Sequence, residues 1–109
     1  MYKKPFAQMS MKQETPKVGV GVILYNKNQQ MLMMKRTGSH GAGFWSFPGG
    51  HMDVGEKPVD TCKREVLEET NIIIDNAEPI GFTNDIHIEE GLHYITLFYE
   101  ALVASNTET

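Results

Sequence analysis

A chain of 109 residues, 40% of them hydrophobic and 22% charged, has room for one domain around one modest core. Its one cysteine, Cys62, excludes an intramolecular disulfide and any multi-cysteine zinc site. There is no apolar run long enough to cross a bilayer and no leader of signal-peptide character, so no membrane contact and a cytoplasmic location are expected. A net charge of -4 argues against wrapping duplex nucleic acid. It leaves a phosphate-bearing small substrate open, because a bound dication inverts the sign of a carboxylate cluster.

Residues 1–16 are polar, carry Pro5 and Pro16 and show no period, which reads as a loose leader. Residues 18–24 (VGVGVIL) read as a strand rich in β-branched side chains. Gly19 and Gly21 share one face of it, a sign that another backbone or a ligand comes close there. Residues 26–29 form a turn, and 30–35 are the expected return strand of a hairpin, with methionines as core filler. Residues 36–51 form a glycine-rich loop interrupted by Phe44, Trp45 and Phe47.

Pro58 suits the first position of a helix predicted over 58–70, Asp60 complements its dipole in the first turn, and Asn71 can take the left-handed cap. Val59, Cys62, Val66 and Thr70 make its apolar stripe, with Leu67 at the edge. A strand is expected from residues 72–74, another over 79–83, and an acidic loop over 84–91. The longest strand is expected over 92–103, with His93, Ile95, Leu97 and Tyr99 on one face and Tyr94, Thr96, Phe98 and Glu100 on the other. This order predicts an α/β (α+β) fold, a mixed β-sheet packed against one helix.

The helix carries the chemistry. Glu65, Glu68 and Glu69 project from one side of it, beside the apolar stripe. Like charges at these spacings repel by roughly 0.2–0.5 kcal/mol per pair, which a hard divalent cation relieves by using several oxygens at once. A solvated acidic face would explain three glutamates alone, but they are embedded in a longer pattern. Gly50 is followed after five residues by Glu56, and after seven more by Arg64-Glu65-Val66-Leu67-Glu68-Glu69. Six such fixed positions recur by chance about once in 10⁷ windows at ordinary residue usage.

This stretch, residues 50–72, resembles the Nudix box, and with the Phe47-Pro48-Gly49-Gly50 run and the flanking strands the resemblance covers residues 17–103. The run 35–43 before Trp45, with His93-Tyr94, is similar to a MutT-like branch that cleaves nucleoside triphosphates to monophosphates. The resemblance implies a Nudix-type sheet packed on a catalytic helix, in a domain over 17–104 between the leader and a polar tail over 105–109. The later strand and helix usual in the family are not matched. It also implies Mg²⁺-dependent hydrolysis of a phosphoanhydride bond in a nucleoside diphosphate derivative, with Mn²⁺ able to substitute. Nucleotide sugars, dinucleotide cofactors and a non-catalytic nucleotide-binding module are the alternatives.

By the same resemblance Glu65, Glu68 and Glu69 are the metal carboxylates, with the Gly50 carbonyl as a further ligand. Arg64 orients a glutamate, Glu56 braces the loop-to-helix junction, and Glu68 or Glu69 positions or deprotonates the attacking water. Asn71 stands where the family has glycine. Asp85, Glu89 and Glu90 are candidates for one more acidic ligand on a distant loop. Lys35, Arg36, His40, His51 and His93 are weaker candidates for substrate contact, and Phe44 and Trp45 for stacking on a base. Cys62, on the apolar stripe, is expected to be inert. A homodimer is expected to cover sheet surface that one helix leaves open.

Overall fold

The computed structural model describes residues 12–35, 43 and 45–103. The leader up to residue 11, Arg36, His40, Phe44 and the tail from 104 lie outside the described residues. The elements are β1 (Lys17–Tyr25), β2 (Met34–Lys35), β3 (Trp45–Ser46), β4 (Gly49–His51), α1 (Pro58–Thr70), β5 (Glu78–His87) and β6 (Leu92–Leu102). Four strands form a mixed sheet in the order β4-β1-β6-β5, parallel only between β1 and β6, and β2 and β3 make a separate pair.

The β1–β6 register sets the two faces. Val20 lies opposite Leu97, Val22 opposite Tyr99 and Leu24 opposite Ala101. These side chains bury themselves with Cys62 and Val66 of α1, so one face of the sheet and the apolar stripe of the helix enclose the core. Val59 packs on its margin and Leu67 stays exposed. Gly19 and Gly21 lie on the other face. A Cβ on Gly19 would meet the Gly50 carbonyl oxygen at 2.9 Å, and one on Gly21 would meet the Phe98 ring at 2.7 Å, which is the close approach the alternating glycines announce.

The helix keeps its expected bounds. Asn71 adopts φ 62° and ψ 14°, and its N–H closes the last turn on the Leu67 carbonyl. Three other expectations change. After the Asn26 turn, the Gln30 carbonyl accepts the Asn26 N–H, Met31 bridges to Tyr25 and the Leu32 N–H bonds to the Leu24 carbonyl, and only Met34–Lys35 form a strand, paired with β3 rather than β1. Residues 72–74 form no strand: Ile72 and Ile74 plug the core with Ala77 while Ile73 faces out, and among the described residues no strand pairs with them. The acidic loop is shorter than expected, because residues 84–87 belong to β5 and only 88–91 turn. All ten β5 residues are exposed, so its polar side chains cost little, and the β6 ladder supplies the backbone partners that propensity alone does not promise.

Candidate functional site

The junction between β4 and α1 is held by one guanidinium. Arg64 donates from Nε to Glu56 Oε2 at 2.8 Å and from Nη2 to Glu56 Oε1 at 2.9 Å, a bidentate pair. Nη2 also reaches the His51 carbonyl at 3.0 Å, and Nη1 donates to Glu65 Oε1 at 2.7 Å and Glu68 Oε2 at 3.5 Å. These partners match the five N–H donors an arginine possesses, so Arg64 has none left for a further acceptor. Its own pKa is driven up by the Glu56 hydrogen bonds.

Glu56 receives more than the arginine. Its Oε1 accepts the Thr61 hydroxyl at 2.7 Å and the Asp53 N–H at 3.1 Å. Together with Arg64, whose hydrogen bonds contribute most, these donors hold its carboxyl at about 2, below the ordinary 4.5. The helix has no side-chain cap at Lys57, and Glu56 with Thr61 ties its first turn to the preceding loop instead. Burial pushes the Cys62 thiol up to about 12, which keeps it protonated among its apolar neighbours.

The three remaining glutamates differ in how tightly they are held. Glu65 is the most buried, and its carboxylate lies against Gly50 so closely that a Cβ there would fall 2.4 Å from Glu65 Cδ. Glu69 Oε2 accepts the Gly49 N–H at 3.1 Å. Glu68 is open, with its side chain 57% exposed. Among the described residues no three acidic, histidine or cysteine side chains already converge on one metal position. The donor set nonetheless fits a hard dication: three carboxylates on one helix edge against a strand whose glycines leave room for them. Gly50 sits opposite Val20 in the β4–β1 ladder, between bonds from the Met52 N–H to the Val18 carbonyl and from the Val22 N–H to the Pro48 carbonyl. Its carbonyl therefore faces β1, and only its second lone pair would serve the expected metal contact.

On the sheet face away from the core, a cleft of about 280 Å³ runs from Gly49 and Gly50 across Gly19 to Tyr94, Asp85 and His87. The His51 ring passes over Gly19 and stacks on Tyr94, with centroids 5.6 Å apart and planes 9° apart. Sequence reasoning left Tyr94 without a role of its own. The glycine face of β1 was the available signal, since an aromatic beside it has open space to stack into. His93 sits on the opposite face of β6, where its ring meets Asn84 at 2.5 Å and the cleft does not reach it. Asp85 belongs to β5 rather than to a loop and lies three strands from β4. Glu89 and Glu90 fall in the turn, with Glu90 Oε2 4.0 Å from His87 Nδ1. Lys35 ends β2, and Trp45, opposite it in the ladder, is exposed and lines a separate hollow beside Leu24 and Val103.

A family model described as the NUDIX domain matches residues 15–109. An RNA pyrophosphohydrolase from Thioalkalivibrio sulfidiphilus is 38% identical over 66 residues, covering 61% of this chain and 36% of that protein. An m7GpppN-mRNA hydrolase from Danio rerio is 42% identical over 57 residues, covering 50% of this chain and 19% of its own. The chain thus spans about a third or less of these two relatives. The crystal structure of a MutT NUDIX hydrolase from Burkholderia pseudomallei superposes with a TM-score of 0.74 at 30% identity, over 82% of this chain and 68% of that one. Among the described residues no helix is long and apolar enough to cross a membrane.

Proposed function

Because the chain belongs to the NUDIX family, we propose that it hydrolyses a phosphoanhydride bond of a nucleoside diphosphate derivative, with nucleoside triphosphate cleaved to monophosphate and diphosphate as the leading case. The observation that carries this reading is the Arg64 junction, which ties Glu65 and Glu68 together, with Glu65 against Gly50 and Glu69 on the Gly49 N–H at the β4 end of the cleft. Glu65, Glu68 and Glu69 would hold Mg²⁺, or Mn²⁺ in its place, with the Gly50 carbonyl. The ion when bound supplies charge neutralisation at the phosphoryl oxygens and a water of lowered pKa.

The chain's own residues do the rest. Arg64 fixes the Glu65 carboxylate and braces the loop through Glu56, so this half of the site is assembled before substrate arrives. Glu68, exposed and tied to Arg64 only at 3.5 Å, is free to turn toward a water and take its proton as the oxygen attacks phosphorus and the anhydride P–O bond breaks. Glu69 is the second candidate for that role. The nucleoside end of the substrate then extends away from the helix along the cleft toward Tyr94. The relatives named for RNA and capped mRNA favour a second reading, in which the same bond is cleaved at the 5′ end of an RNA.

The test is Mg²⁺-dependent release of monophosphate from a panel of nucleoside triphosphates, nucleotide sugars, dinucleotides and 5′-triphosphorylated oligoribonucleotides. Turnover of one class that falls at least about a hundredfold in Glu69→Gln supports the reading. No turnover of any class above the Glu69→Gln background refutes it and leaves a nucleotide-binding module.

A further inference from the structure

Among the described residues Thr61, near the start of α1 and next to the core residue Cys62, is the one polar residue that is fully buried. A helix does not ask for threonine there. A β-branched side chain is less favourable than alanine in a helix, and a buried hydroxyl costs free energy unless it finds a partner. The Thr61 hydroxyl has two acceptors in reach, Glu56 Oε1 at 2.7 Å and the Lys57 carbonyl at 3.2 Å, and a single proton to give. The Lys57 carbonyl already accepts the Thr61 N–H at 3.0 Å. A bond to an ionised carboxylate is the shorter and stronger kind, so the proton belongs to Glu56.

What Thr61 adds to Glu56 is a fixed point. Arg64 grips both Glu56 oxygens, but its guanidinium ends a long side chain, and without another anchor the pair is free to pivot together. The Asp53 N–H on Oε1 comes from an exposed loop residue. Thr61 is short, stiff at χ1 and shut from water, so it pins Oε1 to the body of the helix. From the other end of the pair, Arg64 Nη1 donates to Glu65 Oε1 at 2.7 Å. Thr61, Glu56, Arg64 and Glu65 therefore form a ring of hydrogen bonds that leaves α1 at one residue and rejoins it a turn later.

Resting on the hydrolase reading above, we propose that Thr61 is a positioning residue of the hydrolytic site. Its buried hydroxyl fixes the Glu56 carboxylate and, through Arg64, sets the Glu65 carboxylate where a divalent cation is to be held. It touches neither the cation nor the substrate.

The experiment compares the wild type with Thr61→Val, which replaces the hydroxyl by a methyl group, and Thr61→Ser, which keeps the hydroxyl. In each metal-free protein, exchange of the Arg64 Nε–H with water is followed by proton NMR; Arg36 is the chain's other arginine. Mg²⁺ affinity, melting temperature, and kcat and KM at saturating Mg²⁺ are recorded alongside. In Thr61→Val the Arg64 Nε–H should exchange at least about tenfold faster, and Mg²⁺ affinity and kcat should fall about tenfold at unchanged KM, the lower end of what outer partners of metal ligands carry. Thr61→Ser keeps the donor and should stay within about threefold of the wild type on each count.

A Thr61→Val protein that melts lower but keeps wild-type exchange at Arg64 and wild-type Mg²⁺ affinity makes the hydroxyl a purely structural group and overturns the proposal. A Thr61→Ser protein as impaired as Thr61→Val overturns it too. If Thr61→Val does not fold, Thr61→Ala, which removes the hydroxyl and adds no bulk, is held to the same outcomes. Should exchange and Mg²⁺ affinity respond as expected while no phosphoanhydride is hydrolysed, the hydrolase reading falls and the positioning role toward the cation stands. Wild-type turnover that survives the loss of the hydroxyl, with Mg²⁺ affinity unchanged, keeps the hydrolase reading and removes only Thr61 from it.

Discussion

Replacing Gly50 with alanine tests whether the bare backbone of β4 is what lets Glu65 occupy its position. The added Cβ would fall 2.4 Å from Glu65 Cδ and 2.5 and 2.6 Å from its two oxygens. Carbon atoms rest at about 3.5–4.0 Å, so the carboxylate has to withdraw by about 1 Å or more. It cannot do so and keep its 2.7 Å bond to Arg64 Nη1, and the backbone on the other side of the clash is held in the ladder to β1. Overpacking of this kind costs about 1–3 kcal/mol, and each kcal/mol lowers the melting temperature of a domain this size by about 4–8 °C. The functional loss should be larger than the structural one, since a displacement of about 1 Å in a positioned group costs on the order of a hundredfold in rate. Calorimetric titration with Mg²⁺ and Mn²⁺, differential scanning calorimetry and turnover of the best substrate would be compared in Gly50→Ala and the wild type. Wild-type metal affinity and turnover in a protein that still carries alanine at 50 would refute the role given to Gly50 and Glu65 together.

Glu69→Gln keeps an acceptor for the Gly49 N–H but removes a charge; it is expected to melt normally and bind Mg²⁺ more weakly, and equal titrations of the two proteins would remove Glu69 from the metal set. Glu56, at about 2 against an ordinary 4.5, contributes stability that is complete above about pH 4.5 and drains away as pH falls toward 2. Glu56→Gln should therefore lower the melting temperature at pH 7 and flatten its fall on acidification, while a large loss of turnover at unchanged melting would make Glu56 a participant in the chemistry. Phe82 is 70% exposed on β5, near the exposed Ile80, Ile86 and Ile88. Sedimentation equilibrium at micromolar concentration should find a dimer that Phe82→Ser dissociates, and a wild-type monomer of normal stability would count against a dimer built on this strand.

The helix and its carboxylates were legible because their signals are local. Pro58, the three-and-four spacing of Val59, Cys62 and Val66, and Asn71 at the cap each act within a few residues, and the structure follows them. The partners of Arg64 were half legible. Glu65 and Glu68 lie within a turn of it, but the bond to the His51 carbonyl depends on how β4 meets α1. The cleft was hidden for the same reason on a larger scale. Gly19, His51, Asp85 and Tyr94 come from four strands, and their meeting depends on two registers and one parallel pairing that no periodicity encodes. Alternation does separate His93 from Tyr94, yet it cannot tell which of them faces the glycines. The polar run at 84–87 looks like a loop because an exposed edge strand needs no apolar face, only the ladder beside it.

The two halves of the site differ in how they are held, and the difference bears on how such a domain can change its substrate. Glu56, Arg64 and Glu65 interlock with the helix start and the β4 backbone, so a substitution at any one disturbs a network in which every guanidinium donor is already committed. Asp85 stands three strands away on an edge strand whose ten residues are all exposed, tied locally by a single hydroxyl. Mutations more than about 7–10 Å apart with no shared partners act nearly additively. A substitution at Asp85 should therefore leave the carboxylate helix undisturbed, whereas a change at Arg64 should alter every substrate alike. Selection for a new nucleotide should accordingly act on β5 and the cleft face of β6 while leaving the pattern from Gly50 to Glu69 unchanged.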